Sequence, residues 1–294
     1  MSRGVRVRGI GSGSQQGSVL RLARMEGSMK LACHERLLPG ATFAEKAAKA
    51  ANYGFAGIEL DGEGIAARVG DIKSAIAGAK IAICVIKGGS AGNLLSPEKD
   101  ERDAASAKIK EMLDAAAQVG ALGVTVVPST VGHSLMPNLT PLATALDLET
   151  KLVTRILDDI GRHAQRLGVY VLIEPINRYE THYVKRIAEG AEICKRVGNP
   201  FIRLAAGTFH MNIEERDIQK VIKKHKPWIL HMHLADSNGY QPGIGHLNFR
   251  KALKVMASMD YDKYLSLDCN IYGRADTELP KIQKYLQGFI QMYA

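Results

Sequence analysis

A small set of polar residues stands out because each follows or interrupts an apolar run. Glu174 closes the run in VYVLIEPINRYE, and Asp268 closes the one in YLSLDCN. His231 and His233 alternate within WILHMHLADSN, and His210, in GTFHMNIEE, lies just beyond the preceding apolar run at 201–205. A carboxylate at the end of a buried run must be solvated, paired or metal-bound, because an unpaired buried charge is costly. Two imidazoles at alternate positions of a strand point to the same side, which suits a metal or substrate site. Each signal has a plain alternative: Glu174 could pair with Arg178, and the two histidines could be packed core residues. Four separate runs delivering such groups in order is harder to ascribe to packing.

Eight short apolar runs, rich in Val, Ile and Leu, are expected to be strands: 30–33, 57–60, 81–86, 123–127, 169–174, 201–205, 228–235 and 264–268. They read as apolar on both faces, as buried parallel strands do. Amphipathic segments at 42–53, 69–79, 98–119, 147–167, 183–197, 214–225 and 249–258 separate them, and a last helix is expected at 277–292. Gly54, Gly120, Gly168 and Gly198 sit where helices should stop. This alternation predicts a single-domain α/β protein, a closed (β/α)8 barrel over 29–294, with the polar run ends gathered at the carboxyl rim. An open doubly wound sheet is the alternative, and the first βα turn lacks the GxGxxG that would favour it. The segment 128–146 is long and polar for a βα connection and is expected to act as a lid.

The chain of 294 residues has a formal net charge of +9. Part of that excess lies in 1–28, which holds Arg3, Arg6, Arg8, Arg21 and Arg24 against Glu26. That segment is rich in Gly and Ser and is expected to be a disordered basic extension with no signal-peptide core. The moderate charge of the remainder argues against nucleic acid as a partner. No apolar run approaches the length needed to span a bilayer. The four cysteines, Cys33, Cys84, Cys194 and Cys269, are widely spaced without a CxxC pair. They read as reduced core residues of a cytoplasmic protein.

The segments HERLLPG (34–40), GFAGIEL (54–60), IEPINRYETH (173–182), TFHMNIEERD (208–217) and HMHLADSN followed by PGIGHLNF resemble the xylose-isomerase-like TIM barrel superfamily. The similarity is strongest to its sugar phosphate isomerase/epimerase branch, the ketose 3-epimerases of D-tagatose 3-epimerase type and the hydroxypyruvate-isomerase-like proteins. The resemblance implies a sugar isomerase or 3-epimerase acting through an enediolate on a small-molecule sugar. It also implies a divalent metal, Mn2+ or Mg2+, held by Glu, Asp, His and Glu from strands five to eight. Carried over residue by residue, Glu174, His233 and Asp268 take metal positions. Glu174 and Asp268 are also the catalytic pair, and Glu180 and His210 hold the sugar. A homo-oligomer is left open.

Three positions depart from the family pattern. Gly207 stands where the family has a ligand Asp, Asp268 where it has Glu, and Gly239 where it has Arg. Together they imply a weakened metal site, and the competing reading is a catalytically inactive barrel serving as a binding or scaffold subunit. An endonuclease-IV-like nuclease would need a richer set of ligands. His34 and Glu59 could line the pocket or be ordinary paired residues. His133 and His182 are expected at the surface and Phe209 in the core.

Overall fold

The structure, a computed structural model, describes residues 28–89 and 91–293. The expectation of a disordered extension over 1–28 therefore lies outside the described residues, apart from Ser28. Eight parallel strands close on themselves in chain order. They are β1 (Lys30–His34), β2 (Gly57–Asp61), β3 (Ala82–Lys87), β4 (Gly123–Val126), β5 (Tyr170–Ile173), β6 (Ile202–Gly207), β7 (Ile229–Leu234) and β8 (Tyr264–Leu267). The barrel shuts where Leu31 and Cys33 of β1 stand opposite Leu265 and Leu267 of β8. All eight expected strands are present, and the open sheet is excluded.

The helices are α1 (Phe43–Asn52), α2 (Ile65–Ala79), α3 (Lys99–Val119), α4 (Ala145–Leu167), α5 (Ile187–Val197), α6 (Thr208–Glu214), α7 (Ile218–His225), α8 (Phe249–Ala257) and α9 (Ala275–Tyr293). Thr42 and Thr144 open α1 and α4 with reciprocal caps to Glu45 and Asp147. Gly120, Gly168 and Gly198 end α3, α4 and α5 in the left-handed conformation, as expected. One boundary differs. The stretch expected as a single helix near 214–225 is two elements, because Glu215 leaves helical geometry and Asp217 caps a fresh start. The short α6 leaves β6 directly and carries His210 within it.

The main core lies between strands and helices. A smaller one, of Ala32, Cys84, Val85, Leu172 and Ala205, fills the barrel interior. Ala32, Val85, Leu172 and Ala205 each lie two residues before a rim position: His34, Lys87, Glu174 and Gly207. With a side-chain period of two, those rim residues stack one layer above a packed apolar floor. The four cysteines are free and buried. No helix among the described residues is long and apolar enough to cross a membrane.

The connection from β4 to α4 is irregular up to Thr144. Its base is tied to the loop after β5: the Thr181 hydroxyl donates to the Ser129 carbonyl at 2.7 Å, and the His182 backbone N–H to that of Val131 at 3.0 Å. Its outer part exposes Leu139 and Leu142, the latter 88% accessible. His182 is not the surface residue expected. Its ring lies between the Val131 carbonyl and the Glu149 carboxylate, each at 2.7 Å, and braces the loop. His133 is exposed.

Candidate functional site

Glu174 follows the last residue of β5 and is 4% exposed. It does not pair with Arg178, which binds Glu214 instead through two guanidinium contacts and its own backbone N–H. The partner of Glu174 is His233, whose Nδ1 lies 2.6 Å from Glu174 Oε1. The other ring nitrogen, Nε2, is 2.9 Å from Oε1 of Glu59, which is fully buried on β2. His233 thus bridges two carboxylates across the barrel. Burial disfavours its charged form, but Glu174 and Glu59 outweigh that and hold its pKa well above the ordinary histidine range. Burial pushes Glu174 up, but His233, Lys87 and His210 together pull it down further, so it stays ionised. Glu59 balances in the same way, with His233 and His231 holding it well below its usual range.

Asp268 follows β8 and is held by two cations. Arg36 Nη2 donates to Oδ1 at 3.0 Å, and the Lys87 ammonium donates to Oδ2. Burial acts to raise its pKa, yet His233 and Lys87 draw it down to about 2. Lys87 ends β3, so its side chain reaches across the mouth to the far wall. Burial opposes its charge, but Asp268, Glu174 and Glu59 together hold the pKa above the ordinary lysine value.

His210 sits on the first turn of α6. Its Nδ1 accepts from the Asn177 backbone N–H at 3.2 Å, which leaves Nε2 as the protonated nitrogen. Burial keeps the ring neutral against the pull of Glu174 and Glu180. Glu180 is more exposed and receives the Asn177 amide at 2.6 Å. Its carboxylate is 3.8 Å from His210 Nδ1. Phe209 is half-buried against the core, as expected.

Gly207 and Gly239 are explained locally. A Cβ at 207 would come within 2.9 Å of His210 Cδ2 and 3.6 Å of Glu174 Oε1. Position 207 therefore faces the mouth, and the His210 ring fills the space a side chain would take. Gly239 has φ +77°, a left-handed conformation in the turn after β7. An arginine there would be strained whatever its contacts.

The divalent ion expected on Glu174, His233 and Asp268 does not fit these residues. Position 207 supplies no donor. Both oxygens of Asp268 are engaged by cations, and both nitrogens of His233 face carboxylates. Three acids (Glu59, Glu174, Asp268) are already in contact with Lys87, Arg36 and His233. The donors that do cluster are those of Glu59, His231 and His233, within 4.8 Å of one another and all buried. That group could hold a metal ion: neither ring nitrogen of His231 makes a hydrogen bond among the described residues, and its Nε2 lies 3.5 Å from Glu59 Oε2. It sits deeper than the expected set and shares only His233 with it.

Sequence reasoning brought Glu174, His233, Asp268 and His210 to one mouth, with Glu180 at its edge. It treated Glu59 as equally well explained by ordinary pairing. It passed over Lys87 and Arg36. The signal for Lys87 was present: AICVIKGG ends an apolar run on a charge, just as the run before Glu174 does.

A family model for the xylose isomerase-like TIM barrel matches residues 47–289. The chain belongs to this family. It is 29% identical over 230 residues to 3-dehydro-D-guloside 4-epimerase of Escherichia coli (strain K12), covering 77% of this chain and 85% of that protein. It is 32% identical over 105 residues to D-psicose 3-epimerase of Agrobacterium fabrum, 36% of each chain. Against 2-oxo-tetronate isomerase of Cupriavidus necator it is 32% identical over 113 residues, 37% of this chain and 43% of that one. The crystal structure of apo 3-keto-D-glucoside 4-epimerase from E. coli superposes with a TM-score of 0.81 at 24% identity, over 88% of this chain and 99% of that one. This last likeness speaks for the fold. Family and relatives together place the chain among the sugar isomerases and epimerases.

Proposed function

We propose that this barrel epimerises or isomerises a keto-sugar by moving a proton at a carbon next to the carbonyl. Glu174 is the base. It takes the proton from carbon, and the electron pair of the C–H bond moves into the enediolate. Returning the proton from the Glu174 side to the neighbouring carbon gives the isomer. Adding a second proton to the same carbon from the opposite face, relayed from solvent through Asp268, gives the epimer, and Glu174 then returns the first proton to solvent. Neutral His210, with Nε2–H free to donate, and Glu180 hold sugar hydroxyls near the reacting carbons. The Mn2+ or Mg2+ implied by the resemblance has no part in these steps, because the trio that would hold it is engaged elsewhere.

One observation carries the reading: a buried, ionised carboxylate at the barrel mouth, oriented by a histidine that a second carboxylate fixes from behind. A base so placed contributes about 100- to 10,000-fold in rate. The test is hydrogen–deuterium exchange at carbon in D2O with a panel of free ketohexoses and 3-keto-glycosides. Wild type is expected to exchange at least one of them. Glu174→Gln, folded by circular dichroism, should lose at least about 100-fold. Exchange that survives this replacement removes Glu174 as the base. Sugar binding without exchange on any member of the panel would instead favour the inactive scaffold, which the changes at 207 and 268 make the natural second reading.

A further inference from the structure

We infer that the Lys87 ammonium is the cation that polarises the substrate carbonyl in this mouth, in the place where a divalent ion held by Glu174, His233 and Asp268 would act. The inference rests on the proton-transfer reading above and adds to it the group that stabilises the intermediate.

Three features lead to it. Lys87 is the last residue of β3, and its Nζ bonds Asp268 beyond the end of β8, so the side chain crosses the opening rather than lining one wall. The carboxylates that act on it are Asp268, Glu174 and Glu59, which include both acids of the expected trio. Its side chain is 31% exposed, so the ammonium is reachable from solvent and from a ligand. The backbone helps: a Cβ at Gly88 would come within 2.5 Å of the Thr125 carbonyl, so the chain packs tightly against β4 just after Lys87.

An ammonium has three N–H donors. One is spent on Asp268, which leaves donors for an oxygen of the substrate. When Glu174 removes the proton, negative charge grows on that oxygen, and a fixed N–H aimed at it is worth about 100- to 1,000-fold in kcat. No bond to Lys87 forms, and no oxidant or further reactant is needed. Arg36 donates to the other oxygen of Asp268 at 3.0 Å, so that carboxylate is shared between two cations.

The experiment compares metal-stripped wild type, Lys87→Met and Lys87→Arg in the same D2O exchange assay, with and without added Mn2+. The expected result is exchange by the stripped wild type, unchanged by Mn2+. Lys87→Met should lower kcat about 100- to 1,000-fold with KM altered far less, and Lys87→Arg should recover a substantial part. A purely structural lysine would not give that split or that rescue, and circular dichroism of Lys87→Met checks its fold. Exchange that appears in wild type only with Mn2+, or that persists in Lys87→Met, overturns the role of Lys87 while leaving Glu174 as the base. Absence of exchange in every protein under both conditions sinks both.

Discussion

Replacing Asp268 by Asn tests whether the charges around this carboxylate, His233 and Lys87 foremost, clamp it in its ionised form. The side chain is 11% exposed, so solvent screening removes little of the effect. Its pKa is drawn from 3.8 to about 2. At about 1.4 kcal/mol per unit, that difference amounts to about 2.4 kcal/mol of stability at neutral pH. The sign follows from the direction: the folded pKa lies below the unfolded one, so the contribution is complete above the unfolded value. It fades as pH falls through the folded value. By the same linkage about 1.3 kcal/mol remains at pH 3. Urea unfolding of wild type and Asp268→Asn at pH 7 and pH 3 should therefore give a stability gap that narrows by about 1 kcal/mol at the lower pH. Pairing the replacement with Lys87→Met closes a double-mutant cycle, where coupling of about 0.5–3 kcal/mol is expected for residues in contact. A gap that does not change with pH, or additivity of the two replacements, would refute the clamp.

Glu59→Gln takes one carboxylate from His233 and should cost about 1.5–3 kcal/mol, the range for hydrogen bonds to charged groups. Because the folded pKa of His233 is raised, its stabilisation is full below the unfolded histidine pKa and is lost as pH rises through the folded one. The replacement should move that loss to lower pH, read by NMR titration of the imidazole, and an unmoved titration would mean that Glu174 alone sustains the charge. Gly207→Asp places a Cβ against the His210 ring and a charge beside Glu174. It should destabilise by about 1–3 kcal/mol, seen as a Tm lower by several degrees. An unchanged Tm would show that His210 does not hold the space assigned to it.

The strands were legible because burial on both faces leaves continuous apolar runs, and the helix stops because a left-handed cap favours glycine. The rim acids were legible for a related reason: Glu174 and Asp268 interrupt apolar runs where a charge has no business unless it is used. Lys87 obeyed the same logic but drew no notice, since a lysine beside two glycines reads equally well as the start of a solvated loop. The place of Glu59 depends on which side of β2 faces the centre, and a short apolar run does not encode that. The split between α6 and α7 was hidden because Glu215 and Arg216 fit a polar helix face as well as a break. Gly207 could be recognised as a departure from a pattern, but its cause, the ring of His210 lying on it, exists only once β6 and α6 are folded together.

That contact ties the fates of two positions. A lineage or a mutant library that changes 207 alone meets a collision before it can gain a ligand, so its early steps are penalised. Varying 207 and 210 as a pair relieves that collision; changing 207 alone keeps it.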